Sequence, residues 1–225
     1  MALALDEKDL LEQLLRSPRL PRLVRELENT IEDEAIRRQA FYSQITEKVK
    51  AEFINGEVII HSPVKRRHND ASSNLHVLLK AYVNRHKLGY IGYEKILISL
   101  TRNDYEPDIC FFKRSKSDVF TPDQMFFPSP DLSVEVLSDS TASNDRGMKF
   151  DDYAHHNVEE YWIIDPVTEE VEQYRAVAGE YELVMKAQTG LLRSFAVDGF
   201  EIPIRAIFDD DENQRALVEI ITGRR

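Results

Sequence analysis

The first fifty residues carry apolar positions at the spacing of helices. Over residues 30–50, Ile31, Ala35 and Ile45 fall near one face of a helix. Thr30 suits an N-cap, and acidic residues fill the turn that follows it. We therefore predict that residues 1–50 form a helical extension. Such helices pack either on the core of the domain or on a second subunit, and the pattern does not decide between the two.

After residue 50 the apolar period changes from that of helices to that of strands. The segment AEFINGEVIIHSP places Asn55 and Gly56 between two apolar arms, which predicts a hairpin because both turn residues tolerate positive φ. Residues 67–89 have a leucine-rich stripe at helical spacing, and Gly89 is the expected terminator of that helix.

The rest of the chain alternates strands and helices. Strands are predicted at YEKILISL (93–100), YEPDICFF (105–112) and LSVEVLS (132–138). A second helix is predicted over residues 143–156, stopped at Asn157, and further strands and a short acidic helix follow. This order predicts one α/β core with a mixed central sheet flanked by helices. We divide the chain into a helical extension (1–50), the α/β domain (51–208) and a C-terminal helix or tail (209–225).

Composition fits a globular protein without membrane spans. The chain has 225 residues, 42% hydrophobic and 31% charged, and no apolar run of the length that crosses a bilayer. Its start lacks a basic region followed by an apolar core, so a cytoplasmic location is expected. The single cysteine, Cys110, excludes an internal disulfide framework and a cysteine-rich zinc site.

The net charge of −11 argues at first against a nucleic-acid partner. The charge is uneven, however, at −2 for residues 1–56, +1 for residues 57–150 and −10 for residues 151–225. The middle segment holds the basic clusters VKRRH, NRHK and KRSK. Each cluster alone is most simply a solvated loop or helix end, but together they leave a nucleic-acid partner open.

A glutamate, Glu135, lies at the centre of the apolar strand LSVEVLS. Burying an ionised carboxylate without a partner is costly, so this group must be protonated, paired or holding a cation. Asp108 stands at the start of the preceding apolar strand, and Lys149 lies on the helix that follows. Adjacent strands lie about 5 Å apart, so carboxylates on the same side of the two strands would repel unless a cation lay between them.

Oxygen ligands of this kind suit Mg²⁺ or Mn²⁺. The backbone carbonyl of Val136 is a third candidate ligand, and Lys149 would orient or deprotonate the attacking water or stabilise charge on the phosphate. The pattern predicts metal-assisted hydrolysis of a phosphodiester.

The motifs together resemble the Uma family, a branch of the PD-(D/E)xK nuclease superfamily with the restriction-endonuclease-like fold. The matching pieces span roughly residues 51–208: AEFINGEVIIHSP, a helix opened by His68, EPDICFF, PDLSVEVLS, KFDDYAHHNVEEYWIIDP and GFEIPIRAIF. The resemblance implies that Asp108 and Glu135 bind the metal and that Lys149 is the superfamily's lysine, moved from strand to helix. Glu52 matches an early acidic position of the family.

The chain departs from the family pattern at three positions. Leu137 stands where the superfamily motif has its lysine, Asp139 where a proline is usual and Asn157 where glycine is common. The first fifty residues lie outside the resemblance. Catalytic activity therefore depends on Lys149 reaching back to the strand.

Each candidate residue also has a purely structural interpretation. Asp108 would cap a turn, and Glu135 would form an ion pair with Arg146 or Lys149. Tyr153 shares a helix face with Lys149, where packing is the default and a water or phosphate contact the alternative. His68 is either a polar residue of a first helical turn or an accessory residue of the site.

We interpret the sequence as a Mg²⁺-dependent endonuclease that acts on double-stranded DNA as a homodimer. The dimer rests on analogy with nucleases of this architecture. One alternative is a catalytically inactive module that keeps the fold and binds nucleic acid or protein. Another is a hydrolase of a small phosphoester, which predicts a closed pocket in place of an open groove flanked by Lys65, Arg66, Arg67 and Lys113.

Overall fold

The structure is a computed structural model that describes residues 7–46 and 49–223. Parts of the predicted extension and C-terminal segment, residues 1–6, 47–48 and 224–225, lie outside the described residues. The predicted fold class is confirmed, since helices flank mixed β-sheets. None of the described helices is long and apolar enough to cross a membrane.

The secondary structure alternates helices and strands after two N-terminal helices. The described helices are α1 (Glu7–Leu15), α2 (Leu20–Gln44), α3 (Arg66–His86), α4 (Arg114–Ser117), α5 (Ala142–Asp145), α6 (Met148–His155) and α7 (Asp210–Thr222), with a 3₁₀ turn at Ile204–Ile207. The strands are β1 (Ala51–Ile54), β2 (Glu57–Ile60), β3 (Gly89–Tyr93), β4 (Leu97–Ser99), β5 (Asp104–Tyr105), β6 (Ile109–Lys113), β7 (Phe126–Phe127), β8 (Leu132–Val136), β9 (Glu160–Asp165), β10 (Glu170–Val177), β11 (Glu180–Ala187), β12 (Leu191–Arg193) and β13 (Glu201–Pro203).

The larger sheet has six strands in the order β11-β10-β9-β8-β6-β3. Strand β8 lies in its interior, parallel to β9 and antiparallel to β6. The register pairs Ile109 of β6 with Val134 of β8. One step along each strand, Asp108 and Glu135 are therefore neighbours across the β6–β8 pair.

Both faces of the six-stranded sheet are covered, which explains why β8 reads as an almost continuous apolar run. On one face, α3 and α7 contribute to an apolar cluster that contains Leu78, Val134 and Trp162. On the other face, Tyr153 of α6 packs with Tyr161 in a second cluster. The side chain of Glu135 alternates with Val134 and Val136 along β8, so it belongs to the second face.

The smaller sheet has the order β2-β1-β5-β4-β7 and carries the predicted hairpin. Asn55 and Gly56 have φ of 50° and 82°, as the turn between β1 and β2 requires. The C-terminal part of α2 is anchored on this sheet. The ring of its Phe41 stacks on Phe53 of β1, and its Arg38 donates to the buried carboxylate of Asp104.

Two predicted helix boundaries and the continuity of one predicted helix are wrong. Thr30 lies inside α2, where its hydroxyl donates to the carbonyl of Glu26, because the helix already starts at Leu20. The helix before β3 ends at His86, since Lys87 itself adopts the left-handed conformation and Gly89 belongs to a strand. The helix predicted over residues 143–156 is two short helices, α5 and α6, separated by a break at Gly147.

Candidate active site

A cleft of about 520 Å³ opens where the hairpin, the N-terminus of α3, the β6–β8 pair and α6 meet. Its lining includes the predicted Asp108, Glu135, Val136, His68 and Lys149. It also includes Lys50 and His61, which flank the hairpin strands. Segments far apart in the chain thus bring acidic and basic side chains to one surface.

Lys149 is at the centre of the acidic cluster. Its Nζ lies 2.9 Å from Oε1 of Glu52, 3.3 Å from Oε1 of Glu135 and 3.2 Å from Oδ1 of Asp145. The side chain of Lys149 is only 2% exposed. Three carboxylates therefore share one buried ammonium. Glu135 is paired with Lys149, which is one of the two ion pairs that its structural interpretation allowed. The other possible partner, Arg146, instead binds Glu172 at 2.6 Å.

This arrangement raises the pKa values of Lys149, Glu135 and Asp145. Burial alone lowers the pKa of Lys149, but the carboxylates of Glu135, Glu52 and Asp145 outweigh it and hold that pKa well above its usual value. Burial raises the pKa of Glu135 well above its usual range, and the neighbouring carboxylates add to the rise. Burial also raises the pKa of Asp145. The cluster holds more acid than its one ammonium can neutralise.

Asp108 is held by contacts at both of its oxygens. Oδ2 accepts a hydrogen bond from the backbone N–H of Val136 at 2.8 Å and lies 3.3 Å from Nε2 of His68. Oδ1 accepts from Nζ of Lys50 at 2.9 Å. Burial favours the neutral carboxyl, yet Lys50 and His68 together lower the pKa of Asp108. Asp108 is thus a carboxylate with fixed orientation.

Glu52 connects the hairpin to the acidic cluster. Its Oε1 contacts Lys149 and accepts from the backbone N–H of Glu106, and its Oε2 lies 3.1 Å from Nε2 of His61. Burial raises the pKa of Glu106, two residues before Asp108, to about 7. Glu52, which matches the early acidic position of the family pattern, therefore lies within the site and contacts Lys149 directly.

The structure brings most of the predicted residues together. Asp108, Glu135, Lys149, Glu52 and His68 all lie in the cleft or directly behind it. Val136 contributes its backbone N–H to Asp108.

Tyr153 lies on the same helix face as Lys149, as predicted, and is fully buried. Its ring packs against the rings of Tyr105 and Tyr161. Burial raises the pKa of Tyr153 well above its usual value. The hydroxyl therefore stays neutral. The environment of Tyr153 agrees with its default interpretation as a packing residue.

Sequence reasoning missed Lys50, His61 and Asp145. Asp145 precedes Lys149 by four residues, a spacing at which opposite charges meet on a helix, although here the two residues lie on successive short helices. Lys50 and His61 flank the predicted hairpin, so their proximity to each other followed from its register. Their proximity to Asp108 depends on how the smaller sheet packs on the larger one, for which the sequence has no local signal.

The oxygen-rich donor set of the cleft suits a hard divalent cation such as Mg²⁺. Glu135 has a hydrogen-bond partner for Oε1 only, among the described residues, and Oδ1 of the buried Asp145 accepts no hydrogen bond. A cation beside Glu135 and Asp108 would offset this surplus of acid. No three described His, Cys, Asp or Glu side chains are grouped as ready metal ligands, so such an ion would complete its shell with backbone or solvent oxygens.

Basic side chains flank the mouth of the cleft. Arg66, at the start of α3, is 90% exposed, and Lys65 pairs with Asp139 at 2.5 Å while remaining 63% exposed. Lys113, which was expected to flank the groove, lies at the opposite end of β6 from Asp108 and pairs with Glu159. The cleft is thus open, with basic residues at its α3 side.

The chain is similar to known proteins over this same region. An uncharacterized protein of Synechocystis, sll1609, is 32% identical over 137 residues, which cover 60% of this chain and 75% of that protein. A crystal structure described as "a putative nuclease belonging to DUF820" from Anabaena variabilis superposes with a TM-score of 0.65 at 18% identity, covering 75% of this chain and 94% of the other.

At that level of identity the structural likeness concerns the fold. The match to a family model is more specific, because it extends over residues 38–205 and so includes the hairpin, the cleft and every predicted site residue. That model describes the Uma2 family, "Putative restriction endonuclease". The chain therefore belongs to the Uma2 family, as the motifs of its sequence predicted.

Proposed function

We propose that this protein is a metal-dependent endonuclease that hydrolyses phosphodiester bonds of double-stranded DNA. The observation that carries the proposal is the pairing of β6 with β8, which sets Asp108 and Glu135 side by side in an open cleft with Lys149 bonded to Glu135. Family membership and the nuclease-like fold support the same reaction class.

Asp108 and Glu135, with the backbone carbonyl of Val136, would hold Mg²⁺ or Mn²⁺. When bound, such an ion lowers the pKa of its water and stabilises charge that develops on the phosphate. His68 and the N–H of Val136 fix the orientation of Asp108, so that one carboxylate oxygen is directed to the cleft. This positioning is the contribution of the surrounding residues to catalysis.

Lys149 acts in this proposal as a charge-stabilising group and not as a base. Three carboxylates hold its pKa well above the usual value, so it remains an ammonium at neutral pH. An ammonium cannot accept a proton from water, but it offsets the negative charge of the ligands and of the transition state. Of the two roles that the sequence left open for Lys149, its surroundings favour this one.

The proposed enzyme is a homodimer joined through its N-terminal arm, residues 8–33. No side chain of the arm is buried, and its Val24, Leu27 and Ile31 are 40%, 55% and 63% exposed. These residues continue the face by which Phe41 packs on the domain. An apolar stripe of this length needs a partner.

The charge pattern of the arm supports a second copy of the chain as that partner. Residues 13–25 contain four arginines and no acid, whereas residues 26–34 contain five acids and no base. Two α2 helices that cross antiparallel near Leu27 bring the basic half of each beside the acidic half of the other. A parallel pair would place like charges together.

Two sets of measurements test the proposed reaction. Supercoiled plasmid is incubated with Mg²⁺ or Mn²⁺ or with EDTA, for the wild type and for Glu135→Gln and Asp108→Asn, and Mn²⁺ binding is measured by calorimetry on the same proteins. We expect nicked and linear DNA with metal only, a rate at least about a hundredfold lower in each variant, and weakened Mn²⁺ binding. Metal-independent cutting, or equal rates in all three proteins, would overturn the proposal.

A second function, binding of nucleic acid or protein without catalysis, has one specific observation in its favour. Both oxygens of Asp108 already contact Lys50, His68 or a backbone N–H, so Asp108 has partners without a metal ion. That function predicts duplex binding by the wild type with neither plasmid cleavage nor Mn²⁺ binding. The same two measurements therefore separate the two functions.

A further inference from the structure

Lys50 is the basic residue that lines the cleft next to Asp108, and no motif of the sequence pointed to it. It lies immediately before β1, so only Ala51 separates it in the chain from Glu52. We infer that Lys50 is the residue that contacts a phosphate of the bound nucleic acid, a role that rests on the proposed function. Lys149, the buried lysine of the site, is enclosed by the acidic cluster instead.

The two lysines differ in how accessible their ammonium groups are, since the side chain of Lys149 is 2% exposed and that of Lys50 is 21% exposed. An ammonium has three N–H donors. The three carboxylates of Glu52, Glu135 and Asp145 surround Nζ of Lys149, whose side chain is 2% exposed. Because so little of this side chain is exposed, a phosphate could contact Lys149 only by displacing one of these carboxylates.

Lys50 has the opposite environment. Among the described residues, its Nζ hydrogen bonds to Oδ1 of Asp108 at 2.9 Å, and its side chain is 21% exposed. Asp108 lines the same cleft, so the exposed part of Lys50 is next to the proposed metal ligands. No other hydrogen bond of this ammonium is seen within residues 7–46 and 49–223, which leaves two of its three N–H groups for a ligand in the cleft.

A cation is needed at this position on electrostatic grounds. A phosphodiester that enters the cleft approaches the carboxylates of Asp108 and Glu135, and like charges at such distances repel. Lys50 already neutralises Asp108 and is the lysine nearest to that carboxylate in the described contacts. Lys50 would direct its remaining N–H groups to the phosphate and so offset the repulsion at the reacting group. The acidic cluster would not need to rearrange.

Duplex binding without divalent metal tests this role. The anisotropy of a short labelled DNA duplex is followed in EDTA over a series of salt concentrations for the wild type, Lys50→Gln and Lys186→Gln. Lys186, on the distant strand β11, is 49% exposed and serves as the matched control. We expect the slope of log K against log salt to fall by about 0.9 in Lys50→Gln, as for one lost phosphate contact, and to stay unchanged in the control.

A second comparison separates direct contact from the loss of the ion pair, since Lys50→Gln also leaves Asp108 without its ammonium. Asp108→Asn removes the competing carboxylate and frees Lys50, so this variant should bind the duplex more tightly than the wild type. The double variant Asp108→Asn with Lys50→Gln has the net charge of the wild type and contains no buried lone carboxylate at this site. We expect this double variant to bind the duplex about tenfold more weakly than Asp108→Asn does.

The outcomes distinguish Lys50 from the proposed function. Equal salt slopes for the wild type and Lys50→Gln, or equal affinities for Asp108→Asn and the double variant, would overturn the role of Lys50 and leave the nuclease proposal standing. Duplex binding that depends on Lys50, in a protein that does not cleave DNA, would support the phosphate contact of Lys50 and overturn the proposed nuclease reaction. A wild type that binds no duplex at low salt would overturn both.

Discussion

Nζ of Lys149 lies 2.9 Å from Oε1 of Glu52, and both side chains are almost completely removed from solvent. Glu52 belongs to the hairpin of the smaller sheet, whereas Lys149 belongs to α6, the second of the two short helices after β8. Because Lys149 also donates to Glu135 of the larger sheet, its one buried charge joins the two sheets. It also places the early acidic position of the chain in the same cluster as Glu135.

Replacement of Lys149 should destabilise the fold as well as abolish activity. Lys149→Gln leaves Glu52, Glu135 and Asp145 buried without their ammonium, and breaking a buried ion pair in this way costs about 3–5 kcal/mol. We expect a loss of that size in the free energy of unfolding by urea at pH 7. The loss should shrink at lower pH, because the three carboxylates can then be protonated.

A second variant serves as the control for this prediction. Adding Asp145→Asn to Lys149→Gln removes one of the stranded carboxylates and should recover part of the lost stability. An unfolding free energy of Lys149→Gln within about 0.5 kcal/mol of the wild type would contradict a central structural role for the lysine.

Arg38 should be the main anchor of α2 on the domain. It donates to both carboxylate oxygens of Asp104 at 2.7 Å, and Asp104 is fully buried. Arg38→Met strands that carboxylate, so we expect the free energy of unfolding to fall by about 3 kcal/mol. Limited proteolysis should cut within α2 faster in this variant. A double variant with Asp104→Asn is the control, and it should lose less stability than the single one.

The part of the site that follows from strand pairing could be predicted from the sequence. Asp108 lies directly before β6 and Glu135 lies on β8, and antiparallel neighbours of a sheet place such residues side by side. Lys149 lies on α6, which only the short helix α5 separates from β8 in the chain, so its return to Glu135 needed only a short connection. Each of these relations depends on local pattern and chain order, which apolar periodicity encodes.

The part that depends on packing between sheets could not be predicted. Lys50 contacts Asp108 across a separation of 58 residues, and His61 contacts Glu52 from the opposite strand of the hairpin. Neither residue type has a pattern that distinguishes it from a solvated surface residue. The start of α2 was missed for a different reason, since Pro21 is tolerated in a first helical turn and does not mark a break there.

Glu172 should make the stability of the fold depend on pH in the acidic range. Burial favours its neutral form, yet Arg146, Lys186 and Tyr174 lower the pKa of Glu172 to about 2. A carboxyl whose pKa is lower in the folded than in the unfolded state adds stability above its unfolded pKa, and that stability is lost as pH falls towards the folded value. Glu172→Gln should therefore cost about 1–2 kcal/mol at pH 7 and clearly less at pH 3.

Urea unfolding of the wild type and Glu172→Gln at both pH values measures this difference. The matched control is Glu182→Gln on β11, an exposed glutamate whose replacement should have little effect at either pH. A deficit of Glu172→Gln that is equal at pH 7 and pH 3 would contradict the assignment, because it would show that the ionised form contributes nothing specific.

The arm should determine the oligomeric state. Replacing Leu27 and Ile31 together by glutamate puts charges on the exposed stripe, and two buried apolar side chains per copy are worth at least about 4 kcal/mol to a dimer, or roughly a thousandfold in affinity. We expect a dimer for the wild type and a monomer for this variant in size-exclusion chromatography with light scattering. Val119→Glu, at an apolar position that is 78% exposed outside the arm, is the control and should leave the dimer intact. A wild type that stays monomeric at micromolar concentrations would rule out pairing through the arm.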